Sequence, residues 1–341
     1  MPVLERLRLR FNRLSNRLGS VPVLVLMPHS RCNCRCVMCD IWRANQAGKE
    51  LSAADLEPHL DDIKRLRVRW IVLSGGEALM HSNLWQLCES LRGLGARLTL
   101  LTTGLLLEKH AAQVAEWIDE VIVSLDGSPE IHDLIRNVPR AYDRLATGVA
   151  AVRSRGPHLA IRARCVLQRQ NHADFANIIA TARSLDLDGI SFLAADVSSE
   201  AFNRAGGWPA ERGAQVALTP EEADLMEAVM RESFSTMAGD FESRFVAESP
   251  AALLHIVQYF RALNGMADFP PVQCNAPWVS AVIEADGLVR PCFFHAPYGS
   301  LRQAGLGELL NSETALAFRR QLDLQQDPVC RKCVCTLNFK A

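Results

Sequence analysis

Three closely spaced cysteines are the residues of this sequence best suited to metal chemistry. Cys32, Cys36 and Cys39 form the pattern Cys-x3-Cys-x2-Cys in one short segment. Three thiolates this close can hold three corners of an iron–sulfur cubane and leave the fourth iron without a protein ligand. An open coordination position is what chemistry at a metal requires. The same segment could instead bind zinc, with Cys34 as a fourth ligand, although a spare thiol is the simpler interpretation of Cys34.

A second group of cysteines lies near the end of the chain. Its members form two pairs, Cys274 with Cys292 and Cys330 with Cys333. A predicted hairpin separates the first two and can bring them together at its base. Four thiols can satisfy either a tetrahedral zinc ion or a fully ligated [4Fe–4S] cluster, and the spacing alone leaves both open. Cys335 is either spare or takes the place of Cys333.

Two further segments carry residue types that bind polar ligands. Gly75-Gly76-Glu77 combines glycines, which let a backbone approach a ligand closely, with a carboxylate that can pair with an ammonium group. Ser124 and Asp126 lie in the run Ser-Leu-Asp-Gly, and Arg136 follows them. A guanidinium can clamp a carboxylate through two hydrogen bonds. Taken alone, the first segment could simply end a strand and the second could be a turn.

These residues follow short apolar segments that alternate with helical ones. The predicted strands are residues 22–27, 70–74, 98–102, 120–124, 160–167 and 189–194. The predicted helices between them are residues 53–66, 83–94, 111–117, 142–155 and 174–185. This alternation predicts an α/β fold with a parallel sheet, closed into an incomplete barrel of six β/α units. Chemistry in such barrels sits at the carboxyl ends of the strands, so both candidate segments are expected on one rim.

The rest of the chain predicts parts that flank this core. We expect an N-terminal amphipathic helix over residues 1–20, a core barrel over 21–218 and a helical connection over 219–270. Residues 271–341 are expected to form a small auxiliary domain that holds the second cysteine group. Residues 198–218 are expected to be a loop. Thr219, with a proline and two glutamates after it, predicts the start of the next helix.

The N-terminal segment has an apolar stripe and a basic face. The apolar residues are Leu4, Leu7, Phe11, Leu14 and Leu18, and the basic ones are Arg6, Arg10, Arg13 and Arg17. Such a helix can bind an anionic surface, a transit receptor or an acidic peptide. The interpretation that needs no partner is a helix lying against the barrel with its arginines in solvent, and this is what we expect.

Composition limits the classes of partner. Hydrophobic residues make up 49% of the 341 residues and the formal net charge is −1. Nothing in this balance favours nucleic acid. No apolar run approaches the roughly 18–20 residues of a transmembrane helix. No secretory signal is recognisable, so a cytoplasmic location is expected.

The first constellation resembles the signature of the radical S-adenosylmethionine (radical SAM) superfamily, over roughly residues 20–200. Met38 fits the superfamily's preference for a bulky apolar residue before the last cysteine. Gly75-Gly76-Glu77 resembles its GGE motif, which binds the cosubstrate's amino group. Ser124, Asp126 and Arg136 resemble a segment that binds its ribose and carboxylate. The resemblance implies a partial (β/α)6 barrel with S-adenosylmethionine and a [4Fe–4S] cluster held by the cysteine triplet.

The C-terminal segment resembles the auxiliary-cluster domains called SPASM and twitch. The match lies in the hairpin segment 283–292 and in residues 306–318, which resemble the helix that follows it. The resemblance implies one auxiliary [4Fe–4S] cluster, with ligands Cys274, Cys292, Cys330 and Cys333. It also favours an iron–sulfur cluster over a zinc ion at this second cysteine group.

Together the two resemblances imply an oxidoreductase that cleaves S-adenosylmethionine to a 5′-deoxyadenosyl radical and abstracts hydrogen from a substrate. That substrate is a peptide or protein side chain or a small metabolite, and the partner is an electron donor such as flavodoxin or ferredoxin. Asp196 is the candidate catalytic residue, with His295 and Tyr298 considered near the second cluster. The alternative is a non-catalytic, zinc-binding interaction protein.

Overall fold

A single curved sheet organises the molecule, as seen in a computed structural model that describes residues 3–340. Its strands are β1 (Val23–His29), β2 (Trp70–Gly75), β3 (Arg97–Thr102), β4 (Glu120–Ser124), β5 (Ala160–Leu167), β6 (Gly189–Ala194), β7 (Ser280–Ile283), β8 (Leu288–Arg290) and β9 (Gly299–Ser300). The strand order is β6-β5-β4-β3-β2-β1-β7-β8-β9. The first six strands pair in parallel with their neighbours in the chain, as the β/α alternation predicts.

The C-terminal hairpin extends this sheet. β7 pairs in parallel with β1, with Val23 opposite Ser280, and β8 then returns antiparallel to β7. Gly287 adopts a positive φ of 84° at the turn between them, a conformation that favours glycine. The carboxyl ends of β1 and β7 therefore lie at the same edge, and the auxiliary segment is continuous with the barrel sheet.

The helices pack around the sheet. They are α1 (Val3–Ser15), α2 (Ala53–Leu56), α3 (Leu60–Arg65), α4 (Leu84–Arg92), α5 (Leu107–Trp117), α6 (Pro129–Arg136), α7 (Ala141–Arg155), α8 (Phe175–Ser184), α9 (Ala210–Ala214), α10 (Pro220–Thr236), α11 (Ala238–Glu242), α12 (Pro250–Leu263), α13 (Ala276–Val279), α14 (Leu306–Leu310) and α15 (Glu313–Gln321). Within residues 3–340, none of these helices is both long and apolar enough to cross a membrane.

Sequence patterns identified most of these elements. Thr219 caps α10 through a hydrogen bond from the Glu222 amide, and Pro220 is its first residue, as predicted. α6 was not predicted, and α9 lies within residues 198–218, which we expected to be a loop. The single helix expected over residues 306–318 is instead two helices, because Ser312 caps a new one at α15.

α1 lies against the body of the protein with its arginines in solvent, as expected, but its apolar stripe is not the face that packs. We expected its apolar residues against the barrel, but Leu7 and Phe11 are 56% and 57% exposed. The buried residues of α1 are Glu5 and Asn12. Asn12 donates to the Ser20 carbonyl and Glu5 accepts from the Ser20 hydroxyl, and these bonds attach the opposite face of the helix to the body of the protein.

Candidate active site

The loop that follows β1 carries the cysteine triplet and is fastened to the end of α6. The Arg35 amide donates to the Arg136 carbonyl at 3.1 Å, and the Val37 amide donates to the Ile135 carbonyl at 3.1 Å. These bonds use two carbonyls at the carboxyl end of α6 that have no partner within the helix. The loop backbone is thereby held in register with the residue predicted to bind the cosubstrate carboxylate.

The glycine pair after β2 fixes the other side of this loop. The Glu77 amide donates to the Arg31 carbonyl at 2.8 Å, and the Gly76 amide donates to the His29 carbonyl at 3.3 Å. A Cβ atom on Gly76 would lie 2.1 Å from the Arg31 carbonyl oxygen. Gly75, at the end of β2, has a positive φ of 110°. Both glycines are therefore required by the close approach of the cysteine loop and by the backbone conformation.

The Glu77 carboxylate organises the rim from within. It is fully buried and accepts hydrogen bonds from the Leu79 amide (3.0 Å), the Thr103 amide (2.7 Å) and the Thr102 hydroxyl (2.9 Å). Burial raises the pKa of Glu77, and the hydrogen bond from the Thr103 amide opposes that rise. The Thr103 hydroxyl in turn donates to Asn33 Oδ1 at 3.0 Å. Glu77 therefore links β2, β3 and the cysteine loop.

The thiols of the loop are close together and largely buried. The Cys32 and Cys36 thiols, together with burial, raise the pKa of the neighbouring Cys34 thiol well above its usual value. The pKa of Cys39 is raised to about 12, mainly by burial and in part by the nearby Cys36 and Cys32 thiols. Met38 is also buried and lies with Cys34 and Cys36 in one apolar cluster. The three predicted ligands thus share one pocket with Cys34.

A buried cation lies against this group. Arg136 Nη1 is 3.6 Å from Cys36 Sγ, and Arg136 Nη2 forms an ion pair with Asp126. The pKa of Cys36 is lowered, first by the hydrogen bond from Cys34 and also by the Arg136 charge. Burial raises the pKa of Asp126, and Arg136 opposes the rise. Ser124, at the end of β4, is partly buried.

The arrangement fits a cluster and an organic ligand. Among residues 3–340, no three of the loop thiols have sulfurs all within 4.8 Å of one another. A tetrahedral zinc ion holds its thiolates roughly 3.8 Å apart, whereas a cubane binds each thiolate to a different iron. Arg136 Nε and Asn33 Nδ2 are buried and have no hydrogen-bond partner within the same residues. Buried donors of this kind are expected to meet a ligand.

Residues after β6 cover the loop from outside, which the sequence did not indicate. Arg204 donates to the Met38 carbonyl at 2.6 Å and pairs with Asp196 at 3.0 Å. Its guanidinium stacks on Trp208, 3.8 Å from the ring centre. Trp208 donates to Asp40 at 2.6 Å. The Asp196 carboxylate also accepts hydrogen bonds from the backbone amides of two nearby serines. Protein donors of this network therefore already use its oxygens.

The five cysteines near the C-terminus form a second group. Burial raises the pKa of Cys292 to about 11, and Cys274 and Cys335 add to the rise. Burial also raises the pKa of Cys330 and of Cys333, and the charges of Cys292 and Cys274 contribute to both. These thiols, from three separate segments of the chain, therefore lie near one another. A set of thiolates such as this one suits a soft metal ion or an iron–sulfur cluster.

An imidazole contacts one of these thiols. His295 Nε2 lies 3.3 Å from Cys330 Sγ and 3.8 Å from Asp327 Oδ1. Asp327 Oδ1 also accepts from the Cys330 amide at 2.8 Å. Tyr298, the other aromatic residue considered, packs on Phe318. His295 is thus the residue placed to hydrogen-bond a ligand sulfur.

A cavity of about 370 Å³ lies between the end of β6 and the auxiliary segment. Asp196, Ser199 and Glu200 line it on one side, and His295 and Cys333 line it on the other. The cavity is therefore bounded both by the rim of the barrel and by residues of the second thiol group. Its size suits a compact molecule or a single side chain.

The family comparisons agree with these two constellations. Residues 26–182 match the radical SAM superfamily. Residues 274–334 match the SPASM iron–sulfur cluster-binding domain. The first region contains the cysteine triplet, and the second contains Cys274, Cys292, Cys330 and Cys333.

Curated relatives match over most of the chain. Pre-heme d1 synthase from Dinoroseobacter shibae is 28% identical and covers 84% of this chain and 72% of its own length. Fe-coproporphyrin III synthase from Methanosarcina barkeri is 24% identical and covers 97% of this chain and 88% of its own length. PqqA peptide cyclase from Ruegeria pomeroyi is 27% identical and covers 80% of this chain and 67% of its own length.

A solved structure with the same fold is that of SuiB from Streptococcus suis bound to S-adenosylmethionine. It superimposes with a TM-score of 0.66, at 15% identity, over 96% of this chain and 76% of SuiB. At this identity the similarity establishes the fold. The names of the relatives indicate enzymes, which sets aside the alternative of a non-catalytic zinc protein.

Proposed function

This chain is a radical SAM enzyme with a C-terminal SPASM domain, and from that premise we propose that it reductively cleaves S-adenosylmethionine and abstracts hydrogen from an organic substrate. Its cofactors are [4Fe–4S] clusters and S-adenosylmethionine. When bound and reduced, the N-terminal cluster supplies the electron that splits the cosubstrate into methionine and a 5′-deoxyadenosyl radical. An external donor of the flavodoxin or ferredoxin class supplies that electron.

Cys32, Cys36 and Cys39 hold this cluster in our proposal. The supporting observation is the double attachment of their loop, to α6 through Arg136 and to β2 through Gly76 and Glu77. A loop fastened on both sides presents its thiols in one arrangement without a large ordering cost. Cys34 lies among them and is not required as a ligand.

Residues on the same rim bind the cosubstrate. Arg136 Nε and Asn33 Nδ2 are buried donors that lack a protein partner within residues 3–340, and they suit a carboxylate or hydroxyl acceptor. Gly75, Gly76 and Glu77, which the resemblance assigns to the amino group of the cosubstrate, lie on this rim, where the glycines let the cysteine loop approach β2. Ser124 and Asp126 complete the site at the end of β4. Asp126 also orients Arg136 through their ion pair.

Cys274, Cys292, Cys330 and Cys333 hold the auxiliary cluster. Their convergence from three chain segments supports this set, and Cys335 remains the alternative to Cys333. A cluster held by these thiols would supply an acceptor for the electron that a substrate loses in a net oxidation. The division into parts at residues 20, 218 and 270 stays a prediction.

The substrate enters the cavity between β6 and the auxiliary segment. Its volume of about 370 Å³ admits a metabolite or a side chain of a larger molecule. Tetrapyrroles are the first class to test, because the relatives matching 84% and 97% of the chain are named for tetrapyrrole synthesis. Peptides are the second class, because a peptide cyclase also matches 80% of it. Asp196 acts here as a positioning residue, since Arg204 and serine groups occupy its carboxylate.

The test is anaerobic reconstitution with iron and sulfide, followed by assay of 5′-deoxyadenosine with dithionite. The variant C32A/C36A/C39A is expected to form none. The variant C274A/C292A/C330A/C333A is expected to retain cleavage, because its N-terminal site is intact. Cys88→Ala, which removes a buried thiol of α4, is the matched control.

Substrate class is then tested by adding tetrapyrrole or peptide candidates. A substrate is expected to increase 5′-deoxyadenosine and to transfer deuterium to it from a labelled C–H bond. Cleavage by the triple variant would show that the active cluster lies elsewhere. A chain that binds zinc and forms no cubane after reconstitution would refute the whole proposal.

A further inference from the structure

The outer face of α1 is apolar and unpartnered. Leu4, Leu7, Phe11 and Leu14 recur at intervals of three and four residues, which places them on one side of a helix. Their exposed fractions are 62%, 56%, 57% and 75%. Scattered exposed leucines are common on protein surfaces, but a continuous stripe of this kind indicates an interaction site.

The inner face of α1 is polar and fixed in place. Asn12 donates to the Ser20 carbonyl at 2.6 Å and to the Trp278 carbonyl at 2.9 Å, and it accepts from the Gly19 amide at 2.9 Å. Glu5 accepts from the Ser20 hydroxyl at 2.8 Å. Turning the leucines inward would leave these buried polar groups unsatisfied. These contacts hold the apolar face of α1 outward.

Arginines border the apolar stripe. Arg6, Arg10 and Arg13 are exposed along one side of it, and Arg8 lies on the other side. Glu5 is the only acidic residue of α1, and it is buried. The exposed face therefore combines apolar side chains with positive charge alone.

We propose that α1 binds an anionic lipid surface, lying in the plane of the interface with its leucines and Phe11 inserted. A helix with Leu and Phe on one face and arginines beside them is the arrangement that interfacial helices use. Each arginine near an anionic surface strengthens attachment, and the apolar side chains add the burial that charge alone does not supply. The chain is then a peripheral protein of the membrane surface.

A second copy of the chain fits this face less well. Thirteen residues at about 1.5 Å each give a strip roughly 20 Å long and 10 Å wide, or about 200 Å². Stable protein interfaces bury about 800 Å² on each partner. Two copies paired through α1 would also bring like-charged arginines together.

The helix lies away from the cysteine rim. Ser20 precedes β1 and Trp278 precedes β7, so the contacts of α1 are at the amino ends of both strands. The cysteine triplet follows the carboxyl end of β1. Docking through α1 thus leaves the proposed active rim open.

The test is flotation of the reconstituted full chain with vesicles of phosphatidylcholine, with and without phosphatidylglycerol. We expect binding to the phosphatidylglycerol vesicles, reversed by high salt because surface charges are screened. L7S/F11S and R6S/R10S/R13S are each expected to weaken binding by about tenfold or more. Neither is expected to change thermal stability or iron content, because the altered side chains are exposed.

Matched controls distinguish binding through this face of α1 from nonspecific binding by other exposed side chains. L225S/M266S removes apolar side chains that are 48% and 56% exposed elsewhere, and it is expected to bind as the unaltered chain does. R140S/R231S/R320S removes exposed arginines from other elements and is likewise expected to have little effect.

Three outcomes would overturn the proposal. The first is failure of the unaltered chain to bind phosphatidylglycerol vesicles. The second is equal binding by the α1 variants and the controls. The third is a dimer in light scattering that L7S/F11S dissociates, which would make a second copy the occupant of this face.

Discussion

Arg136 Nη1 lies 3.6 Å from Cys36 Sγ, while the same guanidinium forms an ion pair with the buried Asp126 carboxylate. One cation therefore joins the cysteine loop to the end of β4. Its backbone carbonyl also accepts from the Arg35 amide. Arg136 thus has a structural role and, through its Nε, which has no partner within residues 3–340, a proposed ligand-binding role.

Arg136→Ala is expected to affect both roles. Loss of the guanidinium leaves the Asp126 carboxylate buried without its cation, with the Val166 amide still donating to it, and costs about 3–5 kcal/mol of stability. Binding of S-adenosylmethionine is expected to weaken by roughly 10- to 100-fold, because a hydrogen bond to a charged group contributes about that much to affinity. Anaerobic denaturation and ligand titration measure the two effects.

The double variant D126N/R136A provides the control for the ion pair. It is expected to lose less stability than the sum of the single variants, because no buried charge is left unpaired. Additive losses would show that the two side chains are not coupled.

Gly76→Ala is expected to disturb the cysteine loop. Its Cβ would meet the Arg31 carbonyl oxygen at 2.1 Å, so that the loop has to shift. We expect a stability loss of about 1–3 kcal/mol and incomplete assembly of the N-terminal cluster. Iron and sulfide content, with the electron paramagnetic resonance signal of that cluster, report the result.

Gly239→Ala is the matched control, because a Cβ there has no heavy atom within 4 Å of it. It is expected to leave cluster content unchanged. Full cluster assembly in Gly76→Ala would show that the loop tolerates the displacement.

Asp196→Asn tests whether Asp196 positions its neighbours or reacts with substrate. Because Arg204 and serine groups occupy the carboxylate, we expect a stability loss of about 1–3 kcal/mol from the weakened Arg204 contact. Product formation, once a substrate is known, is expected to stay within about tenfold of the unaltered enzyme. Loss of product with normal 5′-deoxyadenosine release would instead identify Asp196 as catalytic.

His295→Ala is expected to alter the auxiliary cluster alone. Its ring nitrogen lies 3.3 Å from Cys330 Sγ, and a hydrogen bond to a ligand sulfur stabilises the reduced cluster. Its removal should therefore lower the reduction potential of the auxiliary cluster, measured by redox titration with electron paramagnetic resonance. Cleavage of S-adenosylmethionine is expected to change by no more than about twofold, since hydrogen bonds to this cluster tune potential and not the N-terminal site.

His158→Ala, at an exposed position, serves as the control and should leave the potential unchanged. His295→Gln retains a donor and should restore part of the shift. An unchanged potential in His295→Ala would show that His295 does not hydrogen-bond a sulfur that binds the cluster.

Local patterns determined much of this protein. The Cys-x3-Cys-x2-Cys spacing, the alternation of apolar strands with helices and the cap at Thr219 are all short-range signals, and each appears in the sequence as a contiguous segment. They sufficed to predict six parallel strands and the placement of Cys32 and Gly76 at successive strand ends, because the order of β/α units constrains where those ends meet.

Tertiary structure decided what no contiguous segment encodes. The partners of Arg136, the cover formed by Arg204 and Trp208, and the approach of His295 to Cys330 all join residues distant in the chain. The direction of α1 was decided in the same way. Periodicity showed an apolar face, but the cost of leaving Asn12 unpaired, which depends on carbonyls at Ser20 and Trp278, turned that face outward.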